Sequence, residues 1–115
     1  MKQSRVLKSL SAMAHDTRLE IVRLLVPRGD DGLCAGDIAQ TLGVSASGLS
    51  FHLSQLEQAG LLTSRKESRH VIYAADRTAL GEVISYLLND CCAGAADVSA
   101  CMGAKRKANA PAEQA

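Results

Sequence analysis

Apolar residues recur with helical spacing in five stretches of the chain, and two short stretches between the last of them have strand character. Val6, Leu7, Leu10, Met13 and Ala14 predict a first helix over residues 3–14. A second starts at once. Asp16 or Thr17 is suited to cap it, and Thr17-Arg18-Leu19-Glu20 has the capping-box pattern, in which Glu20 reaches back to a free amide. Leu19, Ile21, Val22, Leu24, Leu25 and Val26 make this helix apolar over most of its circumference, so it is expected at the centre of the fold. Pro27 cannot continue it, and residues 28–32 read as a loop. A short helix over residues 35–42 follows, with Ile38 and Leu42 inward and Gly43 suited to a left-handed terminal position. Ser45 then caps a longer helix that runs to about Ala59 and closes at Gly60. Its two faces differ in chemistry. Leu49, Leu53 and Leu56 share one, and at roughly 100° per residue Ser47, Ser50, Phe51, Ser54 and Gln58 share the other. Residues 62–66 and 70–74 are rich enough in Leu, Val, Ile, Thr and Tyr for two strands. A last helix starts at Asp76 and reaches about Asp90, with Leu80, Val83, Ile84, Leu87 and Leu88 apolar.

Two helices joined through Gly43-Val44, the second with a short-polar face, make a helix-turn-helix, and a following hairpin makes it a winged helix. The expected fold is mostly α with a small β-hairpin. Residues 1–102 are read as one DNA-binding and dimerisation domain, and residues 103–115, which lack periodicity and large apolar side chains, as a disordered tail. A length of 115 residues suits one domain. No apolar run approaches the roughly 18 residues that cross a bilayer, so no membrane association is expected. The N-terminus opens directly on a helical pattern rather than a signal peptide, and a cytoplasmic location is expected.

The formal net charge of +1 hides an uneven distribution. Residues 63–70 carry three positive charges and one negative, whereas residues 71–102 carry one positive and four negative. The basic segment Arg65-Lys66-Glu67-Ser68-Arg69-His70 falls in the turn of the expected hairpin. On its own it fits a phosphate-binding wing and a plain solvated turn equally well.

The residues around these elements resemble the ArsR/SmtB family of metalloregulators. The resemblance lies in Ala14-His15-Asp16-Thr17-Arg18-Leu19-Glu20-Ile21-Val22-Arg23-Leu24-Leu25 and Asp37-Ile38-Ala39. It continues through Leu42-Gly43-Val44-Ser45, Leu49-Ser50-Phe51-His52-Leu53, Ala59-Gly60-Leu61 and the hairpin with Tyr73, and covers residues about 5–90. It implies a homodimeric winged-helix repressor that leaves its double-stranded operator DNA when an effector binds. Physical chemistry agrees about the DNA face. Ser45, Ser47, Ser50, His52 and Gln55 have short donors and acceptors suited to base edges or phosphates in a major groove. Arg65, Lys66 and Arg69 suit backbone phosphates. Phe51 is nominally exposed and either meets a thymine methyl or packs on the protein; His52 borders the apolar face, where a structural hydrogen bond is an equal reading. The apolar stripes of the first and last helices exceed what one winged helix needs. Val6, Leu10, Leu80, Ile84 and Leu87 are therefore expected at a two-fold dimer interface.

The four cysteines decide the effector expected. Members of the family with a thiol site at the third helix carry Cys-x-Cys-Asp, but here the run is Cys34-Ala35-Gly36-Asp37, with glycine at the second ligand position. Cys34 is read as a small buried hydrophobe. Zinc sites of the last helix in the family use carboxylates and histidines, and the three histidines here are His15, His52 and His70. Cys91, Cys92 and Cys101 remain. Three thiolates are a soft, sulfur-only donor set, and by resemblance to arsenic-responsive members they imply arsenite, As(III), or Sb(III) as effector, without an organic cofactor. Cadmium or lead, and thiol redox or persulfide sensing, stay open as alternatives. So does a winged-helix protein-interaction module without DNA binding. No phosphate loop, nucleotide fingerprint or acid–base pair points to an enzyme.

Overall fold

A computed structural model of the protein describes residues 2–91, and the chain divides into two units, residues 1–81 and 82–115. The first unit begins with α1 (Gln3–Met13) and α2 (Asp16–Leu25). The capping box expected at Thr17 and Glu20 does not form. Helix α2 starts two residues before the position a Thr17 cap would give, His15 is its cap, and the Thr17 N–H donates to His15 Nδ1 at 3.1 Å. Asp16 then lies in the first turn, where its charge meets the positive end of the helix dipole. Helix α2 buries Ile21, Val22 and Leu25 but leaves Leu19 about half exposed, so one flank is not covered by the described residues.

After α2 the chain tightens into 3₁₀ turns (Val26–Asp31), interrupted at Gly29, and enters β1 (Leu33–Cys34). Helices α3 (Ala35–Leu42) and α4 (Ala46–Gln58) follow. Between them Gly43 adopts φ 69 and ψ 34, and the N–H groups of Gly43 and Val44 both donate to the Ala39 carbonyl. That closes α3 and reverses the chain within three residues, which only a residue at ease in the left-handed region does without strain. Ser45 caps α4 as expected, its Oγ accepting from the Gly48 N–H at 3.2 Å. Ser45→Ala should lower stability by about 1 kcal/mol, seen as a fall of several degrees in the thermal midpoint.

Strands β2 (Leu62–Glu67) and β3 (His70–Ala75) form the hairpin, with Glu67 opposite His70 across a two-residue turn. Ser68 holds a positive φ of 57 in that turn. The sheet has three strands in the order β1-β3-β2, all antiparallel, with Leu33 opposite Tyr73 and Cys34 opposite Ile72. Strand β1 escaped the sequence reading because two residues carry no alternation; it exists because β3 offers it a free edge. Asp76 caps α5 (Arg77–Ser85), its Oδ1 accepting from the Ala79 N–H at 3.0 Å.

One core holds the first unit together. Ile21 and Leu25 from α2, Ile38 from α3, Leu49, Leu53 and Leu56 from α4, and Leu61 before β2 are essentially inaccessible, and Leu80 packs against them from the edge. Burial of α4 along its leucine stripe leaves the opposite face outward, as the spacing predicted.

In the second unit α5 continues to Ser85 and the chain is then wound more widely over Tyr86–Cys91. The Asn89 side-chain amide donates to Ser85 Oγ there. Residues 92–115, including Cys92, Cys101 and the expected tail 103–115, lie outside the described residues, and so does the Cys91 side chain. No helix among the described residues is long and apolar enough to cross a membrane.

Candidate nucleic-acid interface

Helix α4 presents Ser47, Ser50, Phe51, Ser54 and Gln58 to solvent, and Phe51 remains 56% exposed. The ring is therefore no part of the core of the described residues. The polar positions are not equivalent. Ser45 spends its hydroxyl on the cap, and Gln58 donates to Ser54 Oγ at 3.2 Å. Ser47 and Ser50 have no side-chain partner among the described residues, and Gln55 is half-buried. The only ionisable carboxylate on α4, Glu57, accepts from Ser64 Oγ at 2.6 Å and so ties the helix to β2. Near it, burial pushes the Tyr73 phenol up, and the Glu57 charge adds to the effect.

The wing is divided in the same way. Arg65 donates from Nε to Glu67 Oε2 at 2.6 Å, from Nη1 to the Asp30 carbonyl at 2.7 Å and from Nη2 to the Asp31 carbonyl at 3.2 Å. Its fork joins the hairpin to the turn after α2, a structural engagement that the expected phosphate-facing reading did not include. Lys66 and Arg69 are exposed and have no such engagement among the described residues. The sequence reading missed this division because Asp30 and Asp31 act through their carbonyls, which residue identity does not encode.

A cluster behind α4 was also not foreseen. Arg18 of α2 donates from Nε to His52 Nδ1 at 3.0 Å and from Nη1 to the Ala12 carbonyl at 3.3 Å. Its guanidinium carbon lies 5.5 Å from the centre of the Phe51 ring, and the His15 and His52 rings lie 4.4 Å apart. His52 thus takes the structural hydrogen bond that was one of its two readings. Burial holds its imidazole below the ordinary histidine range, and the charges of His15 and Arg18 push in the same direction. The motif residues His15, Arg18 and His52 were visible in sequence, but nothing in their spacing joined them.

Of the positions expected at a dimer surface, Val6 is buried within the chain at 2% exposure, Leu80 and Leu87 are half-buried, and Leu10 and Ile84 are exposed. Leu7, which was not expected there, is 57% exposed. Cys34 is a free, half-buried thiol at the junction of β1 and α3 rather than a fully buried one. Among the described residues no group of three His, Cys, Asp or Glu side chains is placed to hold a metal ion.

Comparison with known proteins agrees with this architecture. A family profile described as a helix-turn-helix domain matches residues 13–65. The chain is 44% identical over 84 residues to ArsR2 of Halobacterium salinarum, named as an arsenical resistance operon repressor, covering 73% of this chain and 68% of that one. It is 34% identical to the HTH-type transcriptional regulator YgaV of Escherichia coli, over 72% of this chain and 82% of that protein. Among solved structures, an ArsR-like transcriptional regulator from Rhodococcus superposes with a TM-score of 0.70 at 26% identity, covering 84% of this chain and 89% of that one. Reduced HlyU from Vibrio cholerae superposes with a TM-score of 0.60 at 32% identity, over 76% of this chain and 87% of its own. A helix-turn-helix with a buried leucine stripe, a polar outward face and a hairpin wing, shared over most of the length of these relatives, places the chain in the ArsR/SmtB family of DNA-binding winged-helix transcriptional regulators.

Proposed function

We propose that the protein is a homodimeric repressor that binds operator DNA through α4 and the wing, and that trivalent arsenic or antimony held by Cys91, Cys92 and Cys101 lowers that binding. The observation that carries the DNA half is the exposed face of α4, with Ser47 and Ser50 without side-chain partners among the described residues and Phe51 still open to solvent although Arg18 lies against its ring, together with an unengaged Lys66 and Arg69 on the wing. Short hydroxyls and an aromatic ring suit base edges and thymine methyls, and the two wing cations suit phosphates. Exposed Leu7, Leu10 and Ile84 support a second copy as partner, which also matches two-fold operator half-sites.

Support for the effector half is chemical. Three sulfur donors within eleven positions, with no histidine after His70, favour a thiophilic ion over a hard one. Zinc prefers four ligands, and the only non-sulfur side-chain donor of a usual zinc-ligand type between Cys91 and Cys101 is the carboxylate of Asp97. The relative named for arsenical resistance points the same way. A second reading, thiol-redox or persulfide sensing by Cys91 or Cys92 with Cys101, is favoured by the likeness to HlyU, whose structure is of the reduced protein.

The test is fluorescence anisotropy of the protein on a DNA fragment from upstream of its own gene, under reducing conditions, titrated with arsenite and separately with zinc. Release by roughly one equivalent of arsenite per subunit, with zinc inert, supports the proposal. Binding that resists both ions moves the redox reading ahead, and absence of binding at low salt favours a protein-interaction module.

Helix α4 carries no cation, so the electrostatic part of the affinity rests largely on the wing. Lys66→Ala with Arg69→Ala should weaken binding to all sequences alike and reduce the slope of log affinity against log salt by about 2. A salt titration on specific and scrambled fragments measures both.

A further inference from the structure

Arg18 reaches three elements from one guanidinium. It bonds the last turn of α1 through the Ala12 carbonyl, belongs to α2, and bonds His52 on α4 while lying over Phe51 of the same helix. The bond to His52 has a direction. An arginine N–H can only donate, so His52 Nδ1 must be the bare, accepting nitrogen. The neutral ring then carries its proton on Nε2, and Nε2 has no partner among the described residues. His15 is held in the same form, because its Nδ1 accepts from the Thr17 N–H as the cap of α2. Two neighbouring imidazoles, tilted 42° to each other, thus both accept through Nδ1.

We propose that Arg18 is a positioning residue that fixes the tautomer of His52, so that α4 offers Nε2–H as a donor to an acceptor on DNA. The assignment rests on the DNA-binding reading of α4 and deepens it. A histidine free to choose its tautomer presents a donor or an acceptor at the same place and discriminates poorly between base edges. One held by Arg18 presents a donor, which matches N7 and O6 of guanine, N7 of adenine, O4 of thymine or a phosphate oxygen.

The arrangement also tolerates acid poorly. A proton on His52 must go to Nδ1, which breaks the Arg18 bond and sets a second cation against the guanidinium. The groups against His52 are His15, the cap of α2, Arg18 of α2 and the Phe51 ring of its own helix, and both ionisable neighbours oppose the charge. The neutral form therefore persists at and above neutral pH and is lost as pH falls through a value below the usual histidine range. Protonation adds positive charge, so nonspecific affinity for DNA rises with acid; the quantity that falls is the preference for the specific fragment.

Two measurements test this on the full chain. Nitrogen-15 NMR of the imidazoles reads the His52 tautomer without DNA: Nε2–H alone is expected in the parent protein, and a mixture in Arg18→Met, which keeps apolar length without donors. An Nδ1–H tautomer in the parent, or no change in Arg18→Met, overturns the proposal. Anisotropy then compares the upstream fragment with a scrambled one from about pH 8 to about pH 5.5, the range over which histidine titrates. Protonation keeps Nε2–H but breaks the Arg18 bond that aims it, so the parent should lose up to about tenfold in the ratio of affinities, the worth of one neutral hydrogen bond that is no longer aligned. In His52→Gln the amide oxygen accepts from Arg18 and the nitrogen donates without titrating, so its ratio, whatever its level, should not vary with pH. A ratio that stays constant in the parent, or falls equally in His52→Gln, overturns the claim. If no fragment binds at any pH, the DNA reading fails while the tautomer measurement still decides the role of Arg18.

Discussion

Serine at Cys91, Cys92 or Cys101 should leave DNA affinity within about threefold of the parent while abolishing its response to arsenite. In the parent, a roughly hundredfold weakening of DNA affinity by arsenite is expected, because allosteric couplings of about 1–3 kcal/mol are typical and derepression needs the upper part of that range. A hydroxyl is a far poorer ligand than a thiolate for a soft trivalent ion. Each variant therefore retains two sulfurs where three are needed, and the weakening should fall below about threefold. Cys34→Ser is the control. It keeps the response, since Cys34 stands at the start of α3 and no group of three His, Cys, Asp or Glu side chains among the described residues is placed to bind an ion. Paired anisotropy titrations of the four variants check this. Loss of DNA binding itself in the C-terminal variants would sink the effector assignment, because it would make those cysteines structural.

Alanine at Gly32 and alanine at Gly36 should move stability in opposite directions. Gly32 holds φ 59 and ψ −157 just before β1, and a Cβ there would stand 2.1 Å from the Tyr73 carbonyl oxygen. That atom belongs to the backbone of β3, the central strand, so it cannot give way without parting β1 from β3. A positive φ and a backbone overlap together should cost about 3 kcal/mol or more. For a chain of this size that is a fall of roughly 10 °C or more in the thermal midpoint. Gly36, in the first turn of α3, meets nothing within 4 Å of an added Cβ. Gly36→Ala should raise stability by up to about 1 kcal/mol, through the lower backbone entropy of alanine in the unfolded chain. Thermal melts of the two proteins check both signs. The wing shares the fate of β1, because β3 pairs with β1 on one edge and with β2 on the other. Gly32→Ala should therefore also weaken DNA binding, whereas Gly36→Ala should not.

Most helices and the hairpin were legible from residue order alone, because local periodicity and caps set them. The leucine stripe of α4 and the Ser45 cap led to the recognition helix, and Gly43 to the turn before it. Where the reading missed, the cause was long-range. Strand β1 is two residues that pair with a partner about forty positions later, and no window along the chain contains both. The α2 cap fell on His15 and not on Asp16 or Thr17, because the His15 side-chain nitrogen, two residues before Thr17, accepts from the Thr17 amide.

What the residues determined by themselves is the chemistry available: a polar helix face, a basic turn, and three cysteines close in sequence. These are properties of composition and spacing, and they survive any packing that buries the leucines. What only the tertiary structure decided is which of these groups are free. Arg65 and Ser45 are consumed by carbonyls and an amide, Lys66, Ser47 and Ser50 are not, and Arg18 and His52 meet although 34 residues separate them. Hydrogen bonding is directional and short-ranged, so whether a donor is committed or spare depends on which backbone groups the fold brings within about 3 Å of it.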